Sequence, residues 1–219
     1  MKLFLIRHGD TEMNSAARFW GATDVKLSPA GIRQAERLRD RLSGEEIDTV
    51  YSSGLSRAVV TAGCIASPRG LTPVIVPEMN EIDFGRFEGL TYGEIIKLDP
   101  TMDDLLVRWS TKRSFPGGES LAQLDERVSR FVARLNASAE GTRCVITHAG
   151  PLRLLICNLL GIGLEHSRKL RLSLASLSIV EVYRGGAVLS LLNDTSHLAE
   201  SGCLGRETRG SQEPPSLTG

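Results

Sequence analysis

Leu3 to Ile6 are four consecutive apolar residues, and the run ends abruptly at Arg7-His8-Gly9. A short apolar run bounded in this way reads as a strand buried on both faces, here about 2–7. Comparable runs recur at 48–52 (DTVYS), 73–76 (PVIV) and 143–147 (RCVIT). Between the first two, LSPAGIRQAERLRDRL changes to helical spacing, with Ser28 a good N-cap and Pro29 suited to the first helical position. Ser53 is placed to cap a second helix running through about Ala66. Thr91 with Glu94, and Ser120 with Gln123, have capping-box spacing, which starts helices at 92 and 121. The second of these runs to about 139 and carries Leu121, Leu124, Val128, Phe131, Val132 and Leu135 on one face. A further helix near 151–160 follows His148, and SLSIVEVY and AVLSLLN flank Arg184-Gly185-Gly186 as a β-hairpin.

Six strands with helices between most of them predict an α/β fold. The form expected is a three-layer α/β/α sandwich on a mostly parallel six-stranded mixed sheet. One domain over 1–198 accounts for the pattern. From Ala199 the composition changes to AESGCLGRETRGSQEPPSLTG, too poor in apolar residues to offset its ordering entropy, so 199–219 is expected to be a disordered tail.

Composition removes several function classes. Lys plus Arg and Asp plus Glu are 26 each in 219 residues, and no basic tract suggests a nucleic acid or a membrane as partner. No apolar run approaches a membrane span, and the first residues are too short and too quickly charged for a signal peptide. Cys64, Cys144, Cys157 and Cys203 form no C-x-x-C pair, which favours reduced, buried cysteines in a cytoplasmic protein over a metal site.

Two of the four histidines, His8 and His148, fall just past strand ends in LFLIRHG and CVITHAG, each with a glycine close behind. One such histidine can simply pack at a sheet edge and bond to backbone. Two in the same context point to one pocket, since neighbouring parallel strands end about 5 Å apart, or about 10 Å with one strand between. Arg7 adjoins His8, and Arg57 falls in the first turn of the helix after 48–52. Two arginines, two histidines and helix-start amides suit a phosphate dianion. The stretch MNEIDFGRFEGLTYGE adds Glu81, Asp83, Glu88 and Glu94, of which Glu94 is taken as a cap. Glu81 follows the 73–76 strand closely enough to reach the same sheet edge, where it can serve as a general acid. Phe84 and Phe87 would exclude water there, and Gly85 and Gly89 would let the backbone turn tightly.

RHGDTEMN, SSGLSRAVVTA, NEIDFGRFEG, FPGGES and THAG, in that order, resemble the histidine phosphatase superfamily over nearly all of 1–198. The resemblance implies a phosphoglycerate mutase-like fold and a metal-independent phosphomonoester hydrolase without a cofactor, acting through phosphohistidine. It implies that His8 is the nucleophile and that Arg7, Arg57 and His148 surround the phosphate. Ala149 belongs to the same binding set, and Asn14 adds a hydrogen bond. Glu81 would protonate the departing oxygen and then help activate water. The implied partner is a small-molecule phosphomonoester; a homodimer stays open.

Asp10 stands where glutamate is common in that family, a mild departure. The stretch between Glu81 and His148 is shorter than a phosphoglycerate mutase would need to retain a bisphosphate intermediate, so hydrolysis is favoured over isomerisation. DFGRFEG, FPGGES and LNDTSHL resemble the α-ribazole phosphatase group, which makes α-ribazole 5'-phosphate a candidate substrate. A binding module that senses a phosphometabolite without turnover is the remaining alternative, and the complete set of Arg7, His8, Arg57, Glu81 and His148 argues against it.

Overall fold

The computed structural model describes residues 1–13, 18–108, 114–137 and 140–199. Among them, β1 (Lys2–Arg7), β2 (Thr49–Ser52), β3 (Val74–Ile75), β4 (Thr142–Thr147), β5 (Leu177–Tyr183) and β6 (Gly186–Asp194) form one sheet. Its order is β3-β2-β4-β1-β5-β6. The first four positions pair in parallel, β5 runs antiparallel to β1, and β6 antiparallel to β5. The sheet is therefore mixed and mostly parallel, as the alternation of elements predicts. β4 comes late in the chain yet lies between β2 and β1, and that placement makes β1 and β4 neighbours.

Successive side chains on a strand point to opposite faces. Leu3, Leu5 and Val145 face a core shared with α5 (Leu121–Asn136) and α6 (Ala149–Leu160). Phe4, Ile6, Cys144 and Ile146 face one shared with α1 (Pro29–Arg41) and α2 (Ser56–Ala66). All seven are fully buried, which is why the strands read as unbroken apolar runs. Two short helices, α3 (Tyr92–Leu98) and α4 (Met102–Arg108), lie in the connection before α5. On α5, Leu121, Leu124, Val128, Phe131 and Leu135 are buried, and Val132 packs against them partly buried.

Both capping boxes form, and Ser28 Oγ accepts from the Gly31 amide at 3.0 Å. Three local expectations need correction. α5 ends at Asn136 rather than near 139. α6 begins at Ala149, two residues early, because His148 itself is the N-cap residue and Pro151 is tolerated in the first turn. Ser53 caps nothing: α2 starts at Ser56 with Leu55 as its N-cap residue and no side-chain cap. Cys64, Cys144 and Cys157 are unpaired thiols, the last two fully buried. Apart from Ala199, the expected tail lies outside the described residues, as does Cys203. No helix among the described residues is long and apolar enough to cross a membrane.

Candidate active site

β1 and β4 are in register at Arg7 and Thr147, so His8 and His148 emerge side by side past the carboxyl ends of two adjacent strands. Their ring centroids are 4.9 Å apart. The His8 backbone amide donates to Thr147 O at 3.0 Å, and its ring Nδ1 lies 2.7 Å from Gly9 O. A carbonyl only accepts, so Nδ1 carries the proton and Nε2 keeps its lone pair. Burial, and then the charges of Arg7 and Arg57, hold the His8 pKa well below the ordinary imidazole value. His148 has the opposite tautomer. Arg57 Nε donates to its Nδ1 at 3.2 Å, so Nε2 carries the proton and donates to Ser53 Oγ at 2.7 Å. Its pKa is also pushed well below normal, by burial first and then by His8 and Arg57.

Arg57, in the first turn of α2, is 2% exposed. It donates to Gly21 O at 2.7 Å and Thr23 O at 2.8 Å. Glu88 grips the same segment from the amide side, accepting from Gly21, Ala22 and Thr23 at 3.0, 3.0 and 3.3 Å. With three of its five donors used, Arg57 has two left for a ligand. Arg7 donates to Leu172 O at 2.7 Å, while its Nε is buried without a hydrogen-bond partner among the described residues. Burial, chiefly, lowers the Arg7 pKa to about 10. A buried guanidinium N–H without an acceptor costs on the order of 1–3 kcal/mol, which an incoming anion would relieve.

Glu81 reaches this edge from the loop after β3. Its carboxylate accepts from the Ile82 amide at 3.0 Å and from the Gly150 amide at 3.2 and 3.3 Å. Gly150 lies in the first turn of α6, where the helix N-terminus favours negative charge. A Cβ on Gly150 would stand 2.3 Å from Glu81 Oε1, so only glycine admits the carboxylate there. Arg7, His8, Arg57 and Glu81 line one cavity of about 70 Å³. Ala149 opens α6 beside His148, and Asn14 lies outside the described residues.

Other assignments change. Phe84 and Phe87 pack edge-on against Phe115 below the loop, with Phe84 also against Phe19. The apolar wall of the cavity is Trp20, Val25 and Leu174 instead. Gly85 and Gly89 do turn the backbone, at φ 54° and 76°. Asp83 accepts from the Gly85 amide at 2.8 Å and closes that turn. Asp10 accepts from Ser28 Oγ at 2.6 Å, which ties the loop after His8 to the start of α1. Ser53 is the site residue that its reading as a cap concealed; its position at the end of a strand, like that of His8, was the available signal. Among the described residues no group of three His, Cys, Asp or Glu side chains could hold a metal ion.

The model of the histidine phosphatase superfamily (branch 1) matches residues 3–195. The chain belongs to that superfamily. It is 34% identical over 201 residues to phosphoserine phosphatase 1 of Hydrogenobacter thermophilus, covering 91% of this chain and 95% of that one. Over 197 residues it is 33% identical to the adenosylcobalamin/α-ribazole phosphatase of Escherichia coli, covering 88% and 96%. Among solved structures, a putative α-ribazole-5'-P phosphatase from Escherichia coli superposes with a TM-score of 0.83 at 33% identity, covering 89% of this chain and 96% of that chain. That solved structure shares the α/β architecture described above.

Proposed function

We propose that this histidine phosphatase hydrolyses a small phosphomonoester through a phosphohistidine on His8, without a metal ion. The observation that carries this is the His8 tautomer: Nδ1 is held by Gly9 O, and Nε2 is left free beside two arginines. Nε2 attacks phosphorus, and the bond from phosphorus to the ester oxygen breaks. The carboxylic acid form of Glu81 gives its proton to that oxygen, and the alcohol leaves. Water then attacks the phosphohistidine while the Glu81 carboxylate takes its proton, which restores His8 and releases inorganic phosphate. Arg7 and Arg57 neutralise the charge on the equatorial oxygens; His148, fully buried with its ring nitrogens bonded to Arg57 and Ser53, stands behind them and holds Arg57 in place, and the Ala149 amide completes the phosphate site. Phosphoryl transfer asks for little beyond such positioning and charge stabilisation.

Trp20, Val25 and Leu174 share the cavity lining with Thr11 and Arg18, a mixed wall that suits a leaving group with an apolar face, as in α-ribazole 5'-phosphate, and equally a charged one, as in phosphoserine. The reading extends to a single catalytic domain over 1–198 that acts in the cytoplasm on a free metabolite. To test it, wild type and His8→Ala would be compared on α-ribazole 5'-phosphate, phosphoserine and 3-phosphoglycerate, with EDTA and with or without a bisphosphate primer. Acid-labile, base-stable label should appear on the wild type only, and His8→Ala should lose at least about 10⁴-fold in turnover. Label on a serine, full loss in EDTA, or turnover that requires the primer would each overturn it.

A further inference from the structure

Glu81 sits in a segment, 78–81, that belongs to no strand, yet every carbonyl in it is bonded to a side chain. Arg127 on α5 supplies three of these bonds: Nη1 donates to Glu78 O at 2.5 Å and to Asn80 O at 2.6 Å, and Nη2 donates to Glu81 O at 3.1 Å. Thr147 Oγ1 takes the fourth, Met79 O, at 2.5 Å. The remaining Arg127 donors form a fork on Glu119, at 2.7 and 2.9 Å. All five guanidinium N–H groups are thus used, on a side chain only 13% exposed. The guanidinium does not line the cavity and touches neither His8 nor the Glu81 carboxylate.

We propose that Arg127 is a positioning residue for proton transfer: by fixing the carbonyls of 78, 80 and 81 it aims the Glu81 carboxyl at the leaving oxygen. The idea rests on Glu81 being the proton donor. The segment is half-buried, with Met79 fully so; backbone groups withdrawn from water need partners, and here one planar fork supplies them at three points. Lysine, a point charge with three donors, cannot reproduce it. Displacement by about 1 Å is enough to cost on the order of 10²-fold where proton transfer limits the rate.

The test compares kcat/KM on an alkyl phosphate and on p-nitrophenyl phosphate, whose phenolate leaves without help, for Arg127→Gln, Arg127→Lys, Glu119→Gln and Glu81→Gln. Arg127→Gln should lose roughly ten- to a hundredfold on the alkyl ester and less than about threefold on the aryl ester. Arg127→Lys should recover only a small part, and Glu119→Gln, the milder change, should shift the ratio in the same direction. Adding Arg127→Gln to Glu81→Gln should cost nothing further on the alkyl ester. Equal losses on the two esters, or additive losses in the double variant, would overturn the proposal and leave Arg127 as scaffold only. If Arg127→Gln folds poorly, the ester ratio in Glu119→Gln decides. Equal losses in Glu81→Gln itself would instead remove the acid assignment, and this proposal with it.

Discussion

The two sides of the cavity are built by different means. On the proposed phosphate side, His8 and His148 are held by strand ends in register and Arg57 by a helix start; all three are deeply buried, with the two rings in contact and Arg57 bonded to His148. On the leaving-group side, Glu81 stands on a loop whose shape depends on side chains from distant elements, Arg127 and Thr147 among them. Sheet register sets the first side, and long-range side-chain to backbone bonds set the second. On the proposed mechanism the first would bind a group that every phosphomonoester shares, so a rigid frame suits it. The second faces the part that differs between substrates, and a loop can change there without disturbing the sheet.

Substitutions on the two sides should fail in different ways. Glu81→Gln should lose roughly 10²–10⁴-fold in kcat/KM on an alkyl phosphate and far less on p-nitrophenyl phosphate, because only the poor leaving group needs the proton. Arg57→Ala should lose about 10²–10³-fold on both alike, since both transition states carry the same phosphoryl charge. It should also lower thermal stability, because Gly21 O and Thr23 O lose their donor. The same substrate selectivity in both variants would erase the distinction between the sides.

A smaller change sharpens the comparison without removing any polar group. Gly150→Ala places a Cβ 2.3 Å from Glu81 Oε1 and 3.5 Å from Leu124 Cδ2. The carboxylate, at the end of a flexible chain, can swing aside, and alanine gains up to about 1 kcal/mol in helix propensity over glycine. The melting temperature should hold or rise, while kcat/KM on the alkyl ester falls about ten- to thirtyfold and on the aryl ester changes little. A drop in melting temperature with equal losses on both esters would show that Gly150 serves α6 packing instead.

The contrast also explains what could be read from the sequence. His8, His148 and Arg57 follow short apolar runs or open helices, and such patterns are local, so their meeting could be inferred from strand ends alone. The capping boxes at Thr91 and Ser120 are legible for the same reason. Arg127 could not be found this way. It lies on the polar flank of an amphipathic helix, where an arginine usually meets solvent, and the carbonyls it holds are 46 to 49 residues away in sequence. Ser53 reads as a cap because a serine before a helix fits one equally well, and only the tertiary approach of His148 decides between the two. Phe84 and Phe87 sit in the right loop, but nothing local says which way a loop aromatic turns.

The smallest expected effect concerns pH, and it tests the histidine side by stability rather than rate. Burial and neighbouring arginines keep His8 and His148 neutral in the fold, whereas in the unfolded chain they titrate near 6.5. Below about pH 6.5 the unfolded state therefore binds more protons than the folded one, and stability falls as pH falls. The slope is at most about 1.4 kcal/mol per pH unit for each histidine. His197, held at Ala175 O and likewise lowered by burial, adds to the same window. Glu78 and Glu94, held low by Arg134 and Thr91, lose their contributions only in a separate, more acid range. Urea midpoints between pH 5.5 and 7.5 should decline toward acid in the wild type and decline less steeply in His8→Gln. A flat wild-type profile would mean that the fold does not shift these imidazoles from about 6.5, and His8 would then lose its attacking lone pair to protonation in a growing fraction of molecules below that pH.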